Sequence, residues 1–163
     1  MNSTVSYQPI GIIRTPFNAI SQMPIQPSGA KGAGGIIELN PELVAGLQDM
    51  EGFSHLILIY HLHLVSGYKL SVIPFMDDLP HGIFATRAPA RPNPIGISTV
   101  ELKKIEANLL YIEGVDMLDG TPLLDIKPFF TKFDNRPDAK SGWLEGKEMT
   151  EIIQVKSDDR FGQ

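Results

Sequence analysis

The chain has no cysteine among its 163 residues. That absence excludes a disulfide framework, a thiolate metal site, a cysteine nucleophile and thiol redox chemistry together. Positive charge is also scarce, with 14 Lys and Arg against 19 Asp and Glu, a net charge of −5. Proteins that coat nucleic acid irrespective of sequence depend on clustered cations, so the composition excludes that class and leaves room only for a local basic site. Long apolar runs are missing too. The longest, Leu56–Val65, is interrupted by His61 and His63 and falls far short of the ~20 residues of a membrane-spanning helix. The N-terminal MNSTVSYQPIGIIR has neither a basic first region nor an unbroken apolar core, so the expectation is a cytoplasmic protein without export signal or membrane partner.

What the chain has in excess is turn residues. Fifteen Gly and thirteen Pro make 28 of 163 residues, about 17% against roughly 12% in average proteins. With 42% hydrophobic and 20% charged residues, the balance is that of a globular protein of one domain, rich in short strands. Val5–Arg14 reads as a first strand, stopped at Thr15-Pro16 because proline cannot donate to a ladder. Thr15 to Gly35 holds three Pro, four Gly and the single charge of Lys31. A loop of that length in a compact domain is usually functional, although a surface loop explains the same residues.

A short strand at Ile36–Leu39 precedes a helix from Pro41 to about Gln48, with Asn40 as N-cap and Glu42 in the first turn. Ser54–Val65 is the clearest strand. Period-2 alternation puts Leu56, Leu58, Tyr60, Leu62 and Leu64 on one face and His55, Ile57, Ile59, His61 and His63 on the other. Further strands are expected at Leu70–Phe75, Ile83–Thr86, Ile97–Ile105, Leu109–Val115, Pro122–Ile126 and Glu148–Lys156. This pattern predicts a mainly β fold, a small closed or nearly closed antiparallel barrel with short peripheral helices.

The most informative segment is FATRAPARPNPIGIS, Phe84–Ser98. Prolines 89, 92 and 94 fix φ and bias each preceding residue to extended geometry, so the loop is stiff before any ligand arrives. It carries Arg87 and Arg91, whose planar donor forks suit carboxylates, phosphates or stacking on a base. A rigid turn with its arginines paired to surface carboxylates accounts for the same residues. Asp119-Gly120 is a strong turn signal opening into Thr121-Pro122. Among the four histidines, only His61 and His63 have a spacing compatible with two metal ligands, and no third is placed beside them. No metal is expected. Phosphate-binding loops, dinucleotide glycine motifs, nucleophile elbows and zinc-protease motifs are absent.

Phe84–Ser98 closely resembles the signature of the TsaA-like, or TrmO, family. IGIIRTP at Ile10–Pro16, Phe53-Ser54-His55-Leu56 and LDGTPLLDIKP at Leu118–Pro128 match further family blocks in the same order. The resemblance covers about residues 7–130 as the core, with a C-terminal strand and tail over 131–163. It implies a homodimeric β-barrel methyltransferase. Such an enzyme uses S-adenosyl-L-methionine to methylate the exocyclic N6 of threonylcarbamoyladenosine beside the tRNA anticodon. By motif position it implies cofactor contacts at Gln26, Pro27, Ser28, His63, Leu64, Arg87, Asp119, Gly120, Thr121 and Pro122. Longer bacterial members carry an additional C-terminal region, and Ser141–Glu145 around Trp143 looks more like the short forms.

Methyl transfer from a sulfonium is an in-line displacement, so rigid positioning supplies much of the rate. The acceptor N–H, flanked by a purine and a carbonyl, is more acidic than a simple amine, and Asp119 or Asp125 is a candidate to take its proton. Either carboxylate is equally a candidate to hold cofactor hydroxyls or brace the turn. Arg87 and Arg91 are candidates for the threonyl carboxylate or for anticodon-loop phosphates. Two alternatives use the same donor site: a binding sensor without catalysis, and a methyltransferase for another small-molecule or protein nucleophile.

Overall fold

The computed structural model describes residues 4–19 and 32–147. Six strands close into an antiparallel barrel: β1 (Gly11–Arg14), β2 (Gly34–Leu39), β3 (His55–His61), β6 (Ile95–Glu106), β7 (Leu109–Glu113) and β8 (Thr121–Pro128), in the order β1-β2-β7-β6-β3-β8. Closure leaves no unpaired edge. Alternation along each strand sends one face inward. Ile13, Ile37, Leu56, Leu58, Leu110 and Leu123 are fully buried there, each worth about 1.5–3 kcal/mol of burial.

Several elements differ from the sequence expectation. Strand β1 covers only Gly11–Arg14, with Val5 and Tyr7 exposed before it. Strand β2 starts two residues earlier, at Gly34. The expected helix is a 3-10 helix at Pro41–Leu47, and Asn40 does not cap it; its side-chain amide donates to the Pro9 carbonyl instead. Strand β3 ends at His61: the Leu62 amide still donates to the Pro94 carbonyl in register with the β3–β6 ladder, but Pro94 has no N–H to return the bond. The inward face is Leu56, Leu58 and Tyr60, with Leu62 partly buried against the same core, while Leu64 is exposed.

Leu70–Phe75 contracts to a two-residue strand, β4 (Ser71–Val72), pairing with β5 (His81–Gly82). Ile83–Thr86 is not a strand but a 3-10 turn over Ile83–Ala85, since Thr86 closes it by donating back to the Ile83 carbonyl. A short helix, α1 (Thr131–Asp134), and a 3-10 turn at Gly142–Leu144 follow the barrel. The expected strand at Glu148–Lys156 lies outside the described residues.

Strand β8 runs on to Pro128 and contains a bulge. Ile59 pairs with Asp125 but Tyr60 pairs with Leu123, leaving Leu124 as the extra residue. A bulge flips the inside-outside alternation beyond it. Leu123 therefore points in, and Asp125 points out, where its carboxylate meets Lys127 at 2.7 Å.

Candidate functional site

The antiparallel order makes β1, β3 and β7 run one way and β2, β6 and β8 the other. Three connections consequently leave the same end of the barrel: residues 15–33, 62–94 and 114–120. These hold nearly every position singled out from the sequence. At the opposite end lie the segment 40–54 and the tight turn at Ala107 and Asn108.

The β7–β8 connection grips the start of the long 15–33 segment. Gly120 adopts a φ of +76°, open to glycine at little cost. The Asp119 amide donates to Phe17 at 2.8 Å and the Gly120 amide to Ile13 at 3.0 Å. In return the Thr15 amide donates to Asp119 Oδ1 at 3.0 Å, and Thr15 Oγ1 donates to the Met117 carbonyl. Thr121 is buried, with its hydroxyl on the Leu118 carbonyl at 2.7 Å. Pro122 is half-buried against β1 opposite Ile12.

The 62–94 excursion is built around a small cluster of Val72, Ile83 and Ala88. Arg91 Nη1 donates to three carbonyls of this excursion, Thr86 at 2.9 Å, Ile83 at 3.2 Å and Ala88 at 3.4 Å, and its guanidinium lies 5.8 Å from the Phe84 ring centroid. Five prolines from 74 to 94 and one arginine thus stiffen the segment. Arg87 is exposed and makes no ion pair within 4.0 Å among the described residues. His63 and Leu64 sit where the chain leaves β3. Partial burial, with a smaller push from the charge of neighbouring His61, holds the His63 imidazole below its ordinary range.

A third group at this end carried no role in the sequence reading. Tyr60 OH lies 2.9 Å from Ser98 Oγ, and Ser98 Oγ donates to Asp116 Oδ1 at 2.6 Å. Since the serine has one proton to give, the phenol donates to the serine. Burial pushes the Asp116 carboxyl up to about 6, against the Ser98 hydrogen bond and the Arg87 charge, which pull it down. Burial also pushes the Tyr60 phenol up, with the Asp116 charge adding to it. The available signals were a tyrosine on an otherwise aliphatic face and a serine at an inward position of β6. Both are ambiguous without the partner strand.

The structure brings Arg87, Arg91, His63, Leu64 and the Asp119–Pro122 turn to one end of the barrel. Asp125 is not with them, because the bulge turns it to the outer wall. Gln26, Pro27 and Ser28 lie outside the described residues. Among the described residues no three His, Asp or Glu side chains are arranged to hold a metal ion, and no helix is long and apolar enough to cross a membrane.

A closed antiparallel barrel with its long connections gathered at one end defines a class shared with solved structures. The crystal structure of TrmO from Pseudomonas aeruginosa superimposes with a TM-score of 0.73 at 40% identity, covering 86% of this chain and 63% of that one. Residues 12–135 match the tRNA-methyltransferase O N-terminal domain. A probable S-adenosyl-L-methionine-binding protein of Pyrococcus abyssi is 52% identical over 96% of this chain and 85% of its own length. The tRNA (adenine(37)-N6)-methyltransferase of Escherichia coli is 34% identical, over 92% of this chain and 68% of its own length. The chain belongs to the TrmO family of S-adenosylmethionine-dependent tRNA methyltransferases.

The donor set at the open end fits the cofactor of that family. S-adenosylmethionine presents a flat purine, a ribose diol, a carboxylate beside an ammonium, and a sulfonium cation. The guanidinium of Arg87 suits the carboxylate. Asp119 Oδ2, 3.9 Å from Arg14 Nη1, suits ribose hydroxyls, and exposed Leu64 and Phe84 offer apolar surface for the purine.

Proposed function

We propose that this chain, in the cytoplasm, methylates N6 of threonylcarbamoyladenosine next to the tRNA anticodon. The observation that carries the reading is the convergence of the 15–33, 62–94 and 114–120 connections on one end of the barrel, within a chain of the TrmO family. Bound S-adenosylmethionine supplies a methyl group activated by a sulfonium leaving group. Everything else falls to the protein: holding donor and acceptor in line, which is worth several kcal/mol when the geometry is rigid. The proline-rich excursion and its Arg91 strut provide that rigidity. Arg87, His63, Leu64 and Asp119–Pro122, with Gln26, Pro27 and Ser28 of the long loop, are the proposed cofactor contacts. Arg91, held by loop carbonyls through one nitrogen, keeps its remaining donors for the acceptor RNA.

The same reading includes a homodimer. The excursion leaves Tyr68, Leu70, Leu79 and Phe84 exposed at 60%, 65%, 64% and 75%, large apolar side chains that a second copy of the chain would cover. A second copy covering it would double the arginine charge near the site, which a chain of net charge −5 otherwise lacks.

The test is mass spectrometry of nucleosides from tRNA bearing threonylcarbamoyladenosine, incubated with protein and S-adenosylmethionine. The expected product is the N6-methylated nucleoside. Binding of the cofactor without transfer to any tRNA would favour a sensor. By calorimetry Arg87→Ala is expected to weaken cofactor binding at least tenfold, while Arg91→Ala spares cofactor affinity and lowers transfer in the nucleoside assay.

A further inference from the structure

Resting on the methyltransferase reading above, we propose that Asp116 takes the proton from the acceptor nitrogen, with Ser98 and Tyr60 as positioning residues that hold its carboxylate. The group is built by the barrel rather than by a loop. Tyr60 comes from the end of β3 and is 5% exposed; Ser98 comes from the start of β6 and is 2% exposed. Their hydroxyls form a line, Tyr60 to Ser98 to Asp116 Oδ1, over 2.9 and 2.6 Å. Asp116 itself keeps partial solvent access and stands on the 114–120 connection, one of the three that leave the open end of the barrel. Side chains locked by packing and by a second layer of hydrogen bonds hold the tolerances that catalysis demands.

The other two carboxylates proposed for this step are committed elsewhere. Asp119 receives the Thr15 amide and braces the turn, and Asp125 lies on the outer wall against Lys127. The groups facing Asp116 are Tyr60 from β3, Ser98 from β6 and Arg87 from the excursion, with Asp119 the nearest acid on its own connection. A carboxyl titrating near 6 is ionised at neutral pH yet basic enough to accept a proton, the balance general-base catalysis favours.

The lone pair of the acceptor nitrogen forms the new N–C bond, and the methyl C–S bond breaks with its electrons passing to sulfur, which becomes a neutral thioether. The N–H proton goes to the Asp116 carboxylate, which becomes the neutral acid and later loses that proton to water.

Single-turnover methylation of threonylcarbamoyladenosine-bearing tRNA at saturating cofactor, followed from pH 5 to 9, tests this. The base must be ionised, so the wild-type rate rises with pH along a limb near 6. Asp116→Asn is expected to lower the rate about 100-fold while cofactor affinity by calorimetry changes less than twofold. Ser98→Ala removes a hydrogen bond that favours the ionised form, so its limb moves to higher pH. A purely structural role would lower melting temperature in both variants and leave the limb in place. An active wild type beside a fully active Asp116→Asn overturns the inference alone. Should Asp116→Asn fail to fold, a Ser98→Ala profile superimposable on wild type overturns it equally. A wild type that transfers no methyl group overturns the methyltransferase reading and the inference with it.

Discussion

Gly96 shows how a single missing side chain shapes the site. A Cβ there would lie 2.2 Å from Tyr60 Cε2 and 2.5 Å from Cζ, so the tyrosine ring occupies the space that any other residue would claim. The ring is in the core and has nowhere to retreat. Gly96→Ala is expected to lower stability by about 1–3 kcal/mol, the usual cost of overpacking. It should also pull the Tyr60 hydroxyl off Ser98. Thermal unfolding gives the first effect, and an unchanged melting temperature would mean that the ring moves freely. The Pro-Ile-Gly of the signature motif thus has a packing reason in addition to its place at the head of β6.

Among the elements, the segment after the barrel contributes most beyond the strands. Trp143 stacks on His81 with centroids 4.4 Å apart and donates its indole N–H to the Ala85 carbonyl at 2.7 Å. Beside it, Asp77 Oδ2 takes His81 Nε2 at 3.1 Å and Lys147 Nζ at 3.3 Å, and Lys147 also donates to the Met76 carbonyl. The tail therefore clasps the excursion that carries the signature loop. The hydrogen bond from His81, helped by Lys147 and the amides of Asp78 and Leu79, holds the Asp77 carboxyl down at about 2 from an ordinary 3.8. A depressed folded-state value adds stability above the unfolded value and loses it as the proton returns. The melting temperature of the wild type is thus expected to fall between pH 4 and pH 2 more steeply than that of Asp77→Asn. Parallel curves across that window would remove the clasp from the acid response.

At the scale of the whole molecule the proposed homodimer makes its own prediction. Tyr68 is exposed on the apolar excursion and takes part in none of the hydrogen bonds that hold it together. Tyr68→Asp is expected to keep the fold and shift the protein from dimer to monomer in light scattering. A wild type with the mass of one chain at micromolar concentration would refute the dimer. In the proposed dimer, converging Arg87 and Arg91 pairs would concentrate positive charge at the site, and tRNA affinity is expected to fall steeply with salt.

Much of this was open to a reader of the amino-acid order alone. Period-2 alternation at 56–60 and the turn residues between strands determine a mainly β barrel, because side-chain direction in a strand depends only on parity. The proline-locked RPNPIG loop and the Asp119-Gly120 turn determine two of the three segments at the open end, because their backbone angles are set locally. Where each strand stops was harder: β3 ends after His61 because its next ladder partner is Pro94, which has no N–H to return the Leu62 bond, and that partner lies 32 residues downstream of Leu62.

Tertiary structure alone decided which acids share the site. The bulge at Leu124 sends Asp125 outward, and no local pattern announces it, since a bulge is a mismatch between two strands. The contact of Asp116 with Ser98 and Tyr60 joins positions 116, 98 and 60, brought together only when the sheet closes on itself. Burial, which raises the Asp116 carboxyl, is likewise a property of the closed barrel and not of the residue.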